Sequence, residues 1–264
     1  MLRQFAKRLI YGYLPGVAGA FPYFGTRVYF PKRALIFDLA CKEGIYEHEL
    51  LSLIQGLITP GSWYFDVGAN IGLMSVPILK MSKGVNVMSV EPSPNSQGYL
   101  RRTWSKSPWQ DRWKVVFKAV GDRVGQTKFH CSTRQFAGYD GIMDTHRVPG
   151  AESTTVPLTT LDEEWRALGR PRVACVKLDV EGSEIRALAG ARELVQSSRP
   201  HIFLEWYQEN FQCFGHEASD LFRVAQELRY TLVALPNLIE IASPALLALH
   251  LRTTASFALV PLEQ

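Results

Sequence analysis

From residue 62 onward, short continuous apolar runs alternate with stretches whose apolar positions recur every three or four residues. WYFDV (63–67) predicts a strand, and IGLMSVPILKMS (71–82) predicts a helix behind it. VNVMSVEP (85–92) predicts a second strand, SPNSQGYLRRTW (93–104) the next helix, and KVVFKAVG (114–121) a third strand. Runs of Val, Ile and Phe that do not alternate with polar residues fit strands buried on both faces of a parallel sheet.

The middle of the chain has a different pattern. QTKFHCST (126–133) and TTVPLTTL (154–161) predict antiparallel or edge strands around a polar, glycine-containing loop, FAGYDGIMDTHRVPG (136–150). The earlier rhythm then returns, with strands at VACVKLDV (173–180) and HIFLEW (201–206) and helices at SEIRALAGARELVQSS (183–198) and SDLFRVAQEL (219–228). YTLVALP (230–236) and TASFALVP (254–261) close the chain as an antiparallel hairpin. The order predicts a doubly wound α/β sheet, mostly parallel with an antiparallel ending. The pattern predicts a short cap and lead-in helix over 1–60 and a main domain over 61–264. No internal repeat or low-complexity segment is present.

The 264 residues, 47% hydrophobic and 20% charged, suit one large globular domain. A net charge of +4 is too mild to imply nucleic acid, and no apolar run approaches the length that spans a bilayer. The charge is uneven, however. Arg3, Lys7, Arg8, Arg27, Lys32 and Arg33 all precede the first acid, Asp38, with aromatic residues between them. This beginning suits peripheral contact with an anionic membrane, although a cap strapped over the core is the preferred reading. LRQFAKR followed by LIYGYLPGVAGA also has the outline of a signal peptide, but Pro15 and two tyrosines interrupt it. Cys41, Cys131, Cys175 and Cys213 are widely spaced, which suggests free thiols rather than a zinc site or a disulfide framework.

Two constellations carry chemistry. In FDVGANIGL (65–73), Gly68 and Gly72 allow a tight turn and a close approach of backbone to ligand, and the helix that follows offers amides to an anion. The run is G-x-N-x-G rather than the dinucleotide G-x-G-x-x-G, and Asp66 precedes it. An added negative charge disfavours a pyrophosphate and favours an ammonium or other cationic centre. Glu91 ends the second strand, where an acid suits ribose hydroxyls. An amino acid joined to a nucleoside fits these features better than a nicotinamide dinucleotide does.

The second constellation is LDVEGSE (178–184), with Asp179 and Glu181 at the carboxyl end of the fourth strand. Glu184 and Ser183 begin the next helix, where Ser183 is placed to cap and Glu184 meets the helix dipole. Paired acids also raise a divalent metal as a minority reading, but no further ligand stands at suitable spacing. Glu205 ends the fifth strand and points toward the same opening, and His216 in the following loop is within reach of a substrate. Trp206, Tyr207 and Phe211 read as core aromatics, with an apolar platform for the substrate as the alternative, and His201 as a structural histidine at the far end of its strand.

FDVGANIGLMSV, VEPSPN, VPLTTLDE and VKLDVEGSEIRALAGARELV, followed by RPHIFLEW, together resemble the FkbM-like family of S-adenosylmethionine-dependent methyltransferases. The match runs in order over residues 60–264, and IYEHELLSLIQGL resembles the family's lead-in helix. The resemblance implies a Rossmann-like class I methyltransferase sheet with S-adenosylmethionine as cofactor. It assigns Asp66, Gly68, Asn70 and Gly72 to the amino-acid end of the donor and Glu91 to the ribose. Pro92, Ser93, Ala119, Val120 and Asp122 fall near the adenine, and Lys118 stands where relatives often carry Asn. Asp179 is the leading candidate for a general base, with Glu181, Glu205 and His216 as alternatives. The fourth strand lacks the Asn/Asp-Pro-Pro-aromatic ending that resembles amino-methylating enzymes, so oxygen is the expected nucleophile. The resemblance further implies a sugar, glycolipid, polysaccharide or other small hydroxyl acceptor and, because the donor is cytosolic, a cytoplasmic protein. A nicotinamide-dependent oxidoreductase and a non-catalytic subunit that keeps the fold are the rival readings.

Overall fold

The computed structural model describes residues 2–262, with side chains from Gln4 onward. The side chain of Arg3, part of the basic beginning, lies outside the described residues. The chain opens with helix α1 (Leu2–Tyr13), a hairpin of β1 (Ala20–Tyr23) and β2 (Thr26–Tyr29), and helices α2 (Leu35–Glu43) and α3 (His48–Leu57). The first half of the main domain holds β3 (Trp63–Val67), α4 (Ser75–Met81), β4 (Asn86–Val90), α5 (Pro94–Ser105) and β5 (Trp113–Val116). A small separate unit follows: β6 (Ala119–Val120), β7 (Gly125–Cys131), a 3-10 turn at Arg134–Tyr139 and β8 (Glu152–Thr159), leading into α6 (Leu161–Ala167). The second half holds β9 (Val173–Leu178), α7 (Glu184–Ala189), α8 (Arg192–Ser198), β10 (His201–Glu205), α9 (Gln208–Cys213) and α10 (Asp220–Leu228). It ends with β11 (Tyr230–Ala234), β12 (Ile239–Glu240), α11 (Pro244–His250) and β13 (Ser256–Pro261).

Eight strands form the main sheet in the order β12-β11-β13-β10-β9-β3-β4-β5. β5, β4, β3, β9 and β10 run parallel to their neighbours, and β13 lies antiparallel between β10 and β11. The strand order reverses beside β3, so the carboxyl ends of β3 and β9 flank the topological switch point. The period-two alternation of each strand separates the two cores. Tyr64, Val87 and Cys175 face one layer, and Phe65, Val67, Val176 and Leu178 face the other.

The amino-terminal elements share the first of these cores. Phe21, Phe30 and Phe37 are fully buried beside Tyr64 and Ile71, and the rings of Phe30 and Phe37 stack at 3.9 Å. Burying each such side chain contributes about 1.5–3 kcal/mol, so residues 20–58 are fused to the sheet through its core.

Three predicted elements are interrupted, each for a local reason. KVVFKAVG is not one strand: β5 stops at Val116, and Ala119–Val120 pairs with β8 in a separate three-stranded sheet. Between them Lys118 turns out to meet Glu164 at 2.8 Å, a partner the main sheet does not offer. The helix over 183–198 breaks into α7 and α8 at Gly190, where a Cβ would lie 2.1 Å from the carbonyl oxygen of Gly121. The two closing runs do pair antiparallel, but β12 and α11 lie between them, and β13 reaches past β11 to join β10. The predicted pair β7 and β8 is antiparallel along its whole length.

Candidate active site

The carboxyl ends of β3, β4, β9 and β10 open on a cleft of about 230 Å³. Asp66, Gly68, Asn70, Glu91 and Pro92 line one side, and Asp179, Glu181 and Glu205 the other. Ala119 and Val120 of β6 close the wall beyond Glu91.

On the β3 side the turn is built around Gly68. Its φ is +84°, and a Cβ there would stand 1.8 Å from the carbonyl oxygen of Asp179. Only glycine lets the ends of β3 and β9 meet. The turn's amides are spent inside the protein. Gly68 N and Ala69 N donate to the Val90 carbonyl, and Gly72 N donates to that of Ala69. The helix begins at Ser75 rather than Ile71, and the turn amides of Gly68, Ala69 and Gly72 are not free to receive a ligand anion.

Glu91 is fixed by the same economy. One carboxylate oxygen accepts Asn70 N at 2.7 Å, and the other accepts Ser93 N at 2.7 Å. Each oxygen keeps a second lone pair, as a pair of vicinal hydroxyls requires. Burial pushes Glu91 up to about 8, against the pull of these two amides. Asp66 is buried on β3, accepts Ser75 Oγ at 2.5 Å, and is likewise raised, chiefly by burial.

The β9–β10 side carries the unbalanced charge. Lys177 is only 4% exposed and donates to Asp179 Oδ2 at 2.8 Å, with Glu47 at 3.8 Å. Burial lowers the Lys177 ammonium, but Asp179 and Glu47 outweigh it and hold it well above the usual lysine value. The Glu205 carboxyl accepts no hydrogen bond from any described residue. The charge of Asp179 first, then burial, pushes Glu205 up to about 8.

Glu181 is anchored rather than free, since Arg147 and Asn210 donate to it at 2.9 and 2.7 Å. Both site loops hold a non-glycine residue in the left-handed region, Asn70 at φ +49° and Glu181 at +52°. Strain of this kind concentrates at functional sites. Ser183 makes no capping bond; Glu184 instead accepts the amides of Val180 and Gly182 and holds that loop.

Four sequence-predicted residues fall outside the cleft wall. Gly72 sits behind it, against Leu100 and Trp113. Ser93 supports Glu91 from below and caps α5. Asp122 is exposed beyond β6 and faces Arg123, because the chain leaves the site after Val120. His216 lies on the far side of Trp206, paired with Asp220 at 3.3 Å. Trp206 and Phe211 are stacked in the core, as read, while Tyr207 reaches the cleft.

Sequence reasoning missed Lys177, the cleft-lining Tyr46 and the loop between β7 and β8. Lys177 had a usable signal: a lysine inside an apolar strand, two positions before an acid and so on the same face. The loop lays Phe136 and Tyr139 along the cleft, and the Arg147 guanidinium lies between the rings of Tyr139 and Tyr207 at 4.3 and 5.1 Å. Asp140 fastens that loop to the end of β4, accepting Ser93 Oγ at 2.5 Å and Asn95 Nδ2 at 3.0 Å.

These features fit S-adenosylmethionine. Glu91 offers two acceptor positions to a ribose, and the excess of carboxylates over ammonium groups suits a cation and repels a pyrophosphate. Among the described residues, no group of three histidine, cysteine, aspartate or glutamate side chains is arranged to hold a metal. No helix there is long and apolar enough to cross a membrane.

Comparison with known proteins identifies the fold and the family. No curated protein matches the chain. The structure of the FkbM methyltransferase from Methylobacillus flagellatus is similar in fold, with a TM-score of 0.50 and 17% identity over 85% of this chain. The match covers 52% of that structure, so the chain spans about half its length. Magnesium protoporphyrin IX methyltransferase from Synechocystis, solved with bound S-adenosylmethionine, aligns at a TM-score of 0.43 and 11% identity over 98% of this chain and 93% of that one. The model of the methyltransferase FkbM domain matches residues 66–232, from the acid before the glycine turn into β11, and the chain therefore belongs to the FkbM family of S-adenosylmethionine-dependent methyltransferases.

Proposed function

We propose that this protein transfers the methyl group of S-adenosylmethionine to a hydroxyl oxygen of a sugar, glycolipid or polysaccharide in the cytoplasm, with Glu205 as the proton acceptor. The observation that carries the reading is the unpartnered Glu205 carboxyl beside the Lys177–Asp179 pair. A hydroxyl is a weak nucleophile until a base takes its proton, and a base works best when its pKa lies near the working pH. Asp179 supplies that condition by raising Glu205 to about 8, and its own carboxylate is engaged by Lys177.

Asp66, Asn70, Glu91 and the wall of Ala119 and Val120 would hold the donor. Bound there, S-adenosylmethionine supplies a methyl group already activated by its sulfonium. The protein's remaining tasks are alignment, exclusion of water and removal of one proton. A second cavity of about 390 Å³ shares Lys177 and Glu205 with the cleft. Its walls combine apolar residues (Leu50, Leu53, Phe203, Leu235) with Glu43, Glu47 and Glu49. Such a mixture suits an acceptor with hydroxyl groups and an apolar portion, which supports a glycolipid over a free sugar.

The test incubates a saccharide-lipid extract with isotopically labelled methyl donor and follows labelled products by mass spectrometry. Glu205→Gln should lower turnover about 100-fold, the usual scale for losing a general base, while calorimetric binding of S-adenosylhomocysteine stays unchanged. Wild-type turnover should rise with pH toward about 8 as Glu205 ionises, and the variant should lose that rise. Near-normal turnover of Glu205→Gln, with collapse of Asp179→Asn, would move the role to Asp179. Label on nitrogen would overturn the oxygen assignment.

A further inference from the structure

A surface helix ordinarily buries its apolar face and turns its polar face to water. α1 is mounted the other way round. Its polar edge grips the body: Gln4 Nε2 donates to the Lys42 carbonyl at 2.9 Å, and Arg8 pairs with Asp38 at 2.7 Å. On the same edge Lys7 lies over the Phe21 ring at 4.7 Å, and Tyr11 packs against the core. The opposite edge carries Phe5, Leu9 and Tyr13, spaced four apart and therefore on one stripe. They are 64%, 48% and 55% exposed, and Ile10 and Leu14 extend the patch at 42% and 51%.

Leaving that stripe in water costs free energy that the reverse orientation would recover. The helix is held in place by its own polar contacts, so the exposed stripe needs another occupant. A second copy of this chain is a poor candidate on area. A helix of 12 residues is about 18 Å long and about 10 Å wide, a face of about 180 Å² against the ~800 Å² per partner of a stable protein interface. An interfacial helix needs only one apolar face to enter the headgroup boundary.

Charge points the same way. Lys32 and Arg33 are exposed and share a surface concavity with Tyr13, at the end of the stripe. No acid occurs before Asp38, and Arg8 already neutralises that one. We infer that α1 is a docking helix for an anionic lipid surface, with Phe5, Leu9 and Tyr13 entering the bilayer boundary and Lys32 and Arg33 binding headgroups. The helix that holds α1 also shapes the cleft, since Leu35, Ile36 and Leu39 of α2 line it. Docking and methyl transfer therefore share a structural element, although the docking inference stands without any assumption about the acceptor.

Vesicle flotation of the full chain tests it. The protein should float with equimolar phosphatidylcholine–phosphatidylglycerol vesicles and much less with phosphatidylcholine alone. Phe5→Glu with Leu9→Glu should reduce binding at least about 100-fold. Lys32→Glu with Arg33→Glu should reduce binding to the anionic vesicles by about 30-fold or more, from two lost headgroup attractions. Both pairs are exposed and outside the cleft, so unchanged binding of S-adenosylhomocysteine certifies that the variants are folded. Absence of flotation overturns the inference. So does a concentration-dependent dimer in analytical ultracentrifugation that Leu9→Glu abolishes, which would assign the stripe to a second copy.

Discussion

The two walls of the cleft solve opposite problems. On the β3–β4 wall every strategic polar group is already satisfied: Glu91 by two amides, and the Gly68 turn by the Val90 carbonyl. On the β9–β10 wall charge is left over, with one buried ammonium shared between Asp179 and Glu47 while Glu205 stands alone. The first arrangement is rigid and suits a ligand that is the same in every turnover. The second is electrostatically poised and suits a proton that must move. Preorganisation and reactivity are thus separated by the width of the switch point, and Gly68 is where the two walls touch.

The two walls are most vulnerable at that contact. Gly68→Ala forces a Cβ to within 1.8 Å of the Asp179 carbonyl, so one of the strand ends must move. Thermal unfolding should report a loss of more than about 4 kcal/mol, with donor binding and turnover lost together. A variant that keeps either function would show that the walls are mechanically independent.

Lys177→Met acts on the poised wall alone. Removing one partner of a buried ion pair costs about 3–5 kcal/mol, because the remaining carboxylates are left unpaired. Denaturant unfolding should show this loss at neutral pH and a partial recovery at acid pH, where the abandoned carboxylates take up protons. An equal deficit at both pH values would remove Lys177 from the charge balance.

The smallest effect sharpens the rigid wall. Glu91→Ala should weaken S-adenosylhomocysteine binding by about 1–3 kcal/mol, the scale of leaving a buried hydrogen-bonding group unpaired. Calorimetry with unchanged affinity would take Glu91 out of the site. The same variant tests a pH effect. Glu91 stands at about 8 in the folded protein against an ordinary value of 4.5, so the native state holds a proton that the unfolded chain releases. Stability from this group is full below about 4.5 and is lost as pH rises through about 8. Glu181, Glu184 and Glu205 shift in the same direction, so the ligand-free protein should unfold more readily as pH climbs through that window, and Glu91→Ala should flatten part of the slope.

What the sequence made legible was local. Asp66, Gly68, Asn70 and Glu91 are each fixed by a strand and the turn immediately after it, and a strand's carboxyl end can be read from its own apolar run. Asp179 and Glu205 follow for the same reason. Asp122 did not, because a two-residue strand turns the chain away before reaching it, and nothing in KAVGDRVG marks where β6 stops. Arg147 and Asp140 were invisible for a different reason: their partners lie 34 and 47 positions away and depend on how a long loop folds back. For α1, the spacing of Phe5, Leu9 and Tyr13 reveals a stripe, but which edge meets the body is decided by Asp38, Lys42 and Phe21.

Asp140 gathers four hydrogen bonds from Ser93, Asn95 and Ser132 onto one carboxylate. Ser93 and Asn95 lie just past Glu91, and Ser132 begins the loop that carries Arg147 to the opposite wall. The two halves of the cleft are thereby latched at a single atom group, so swinging the loop outward means stripping a charged acceptor of its donors. The latch is therefore part of the wall as well as its fastener: Asp140 itself lines the cleft, so loosening it would disturb both sides of the opening together.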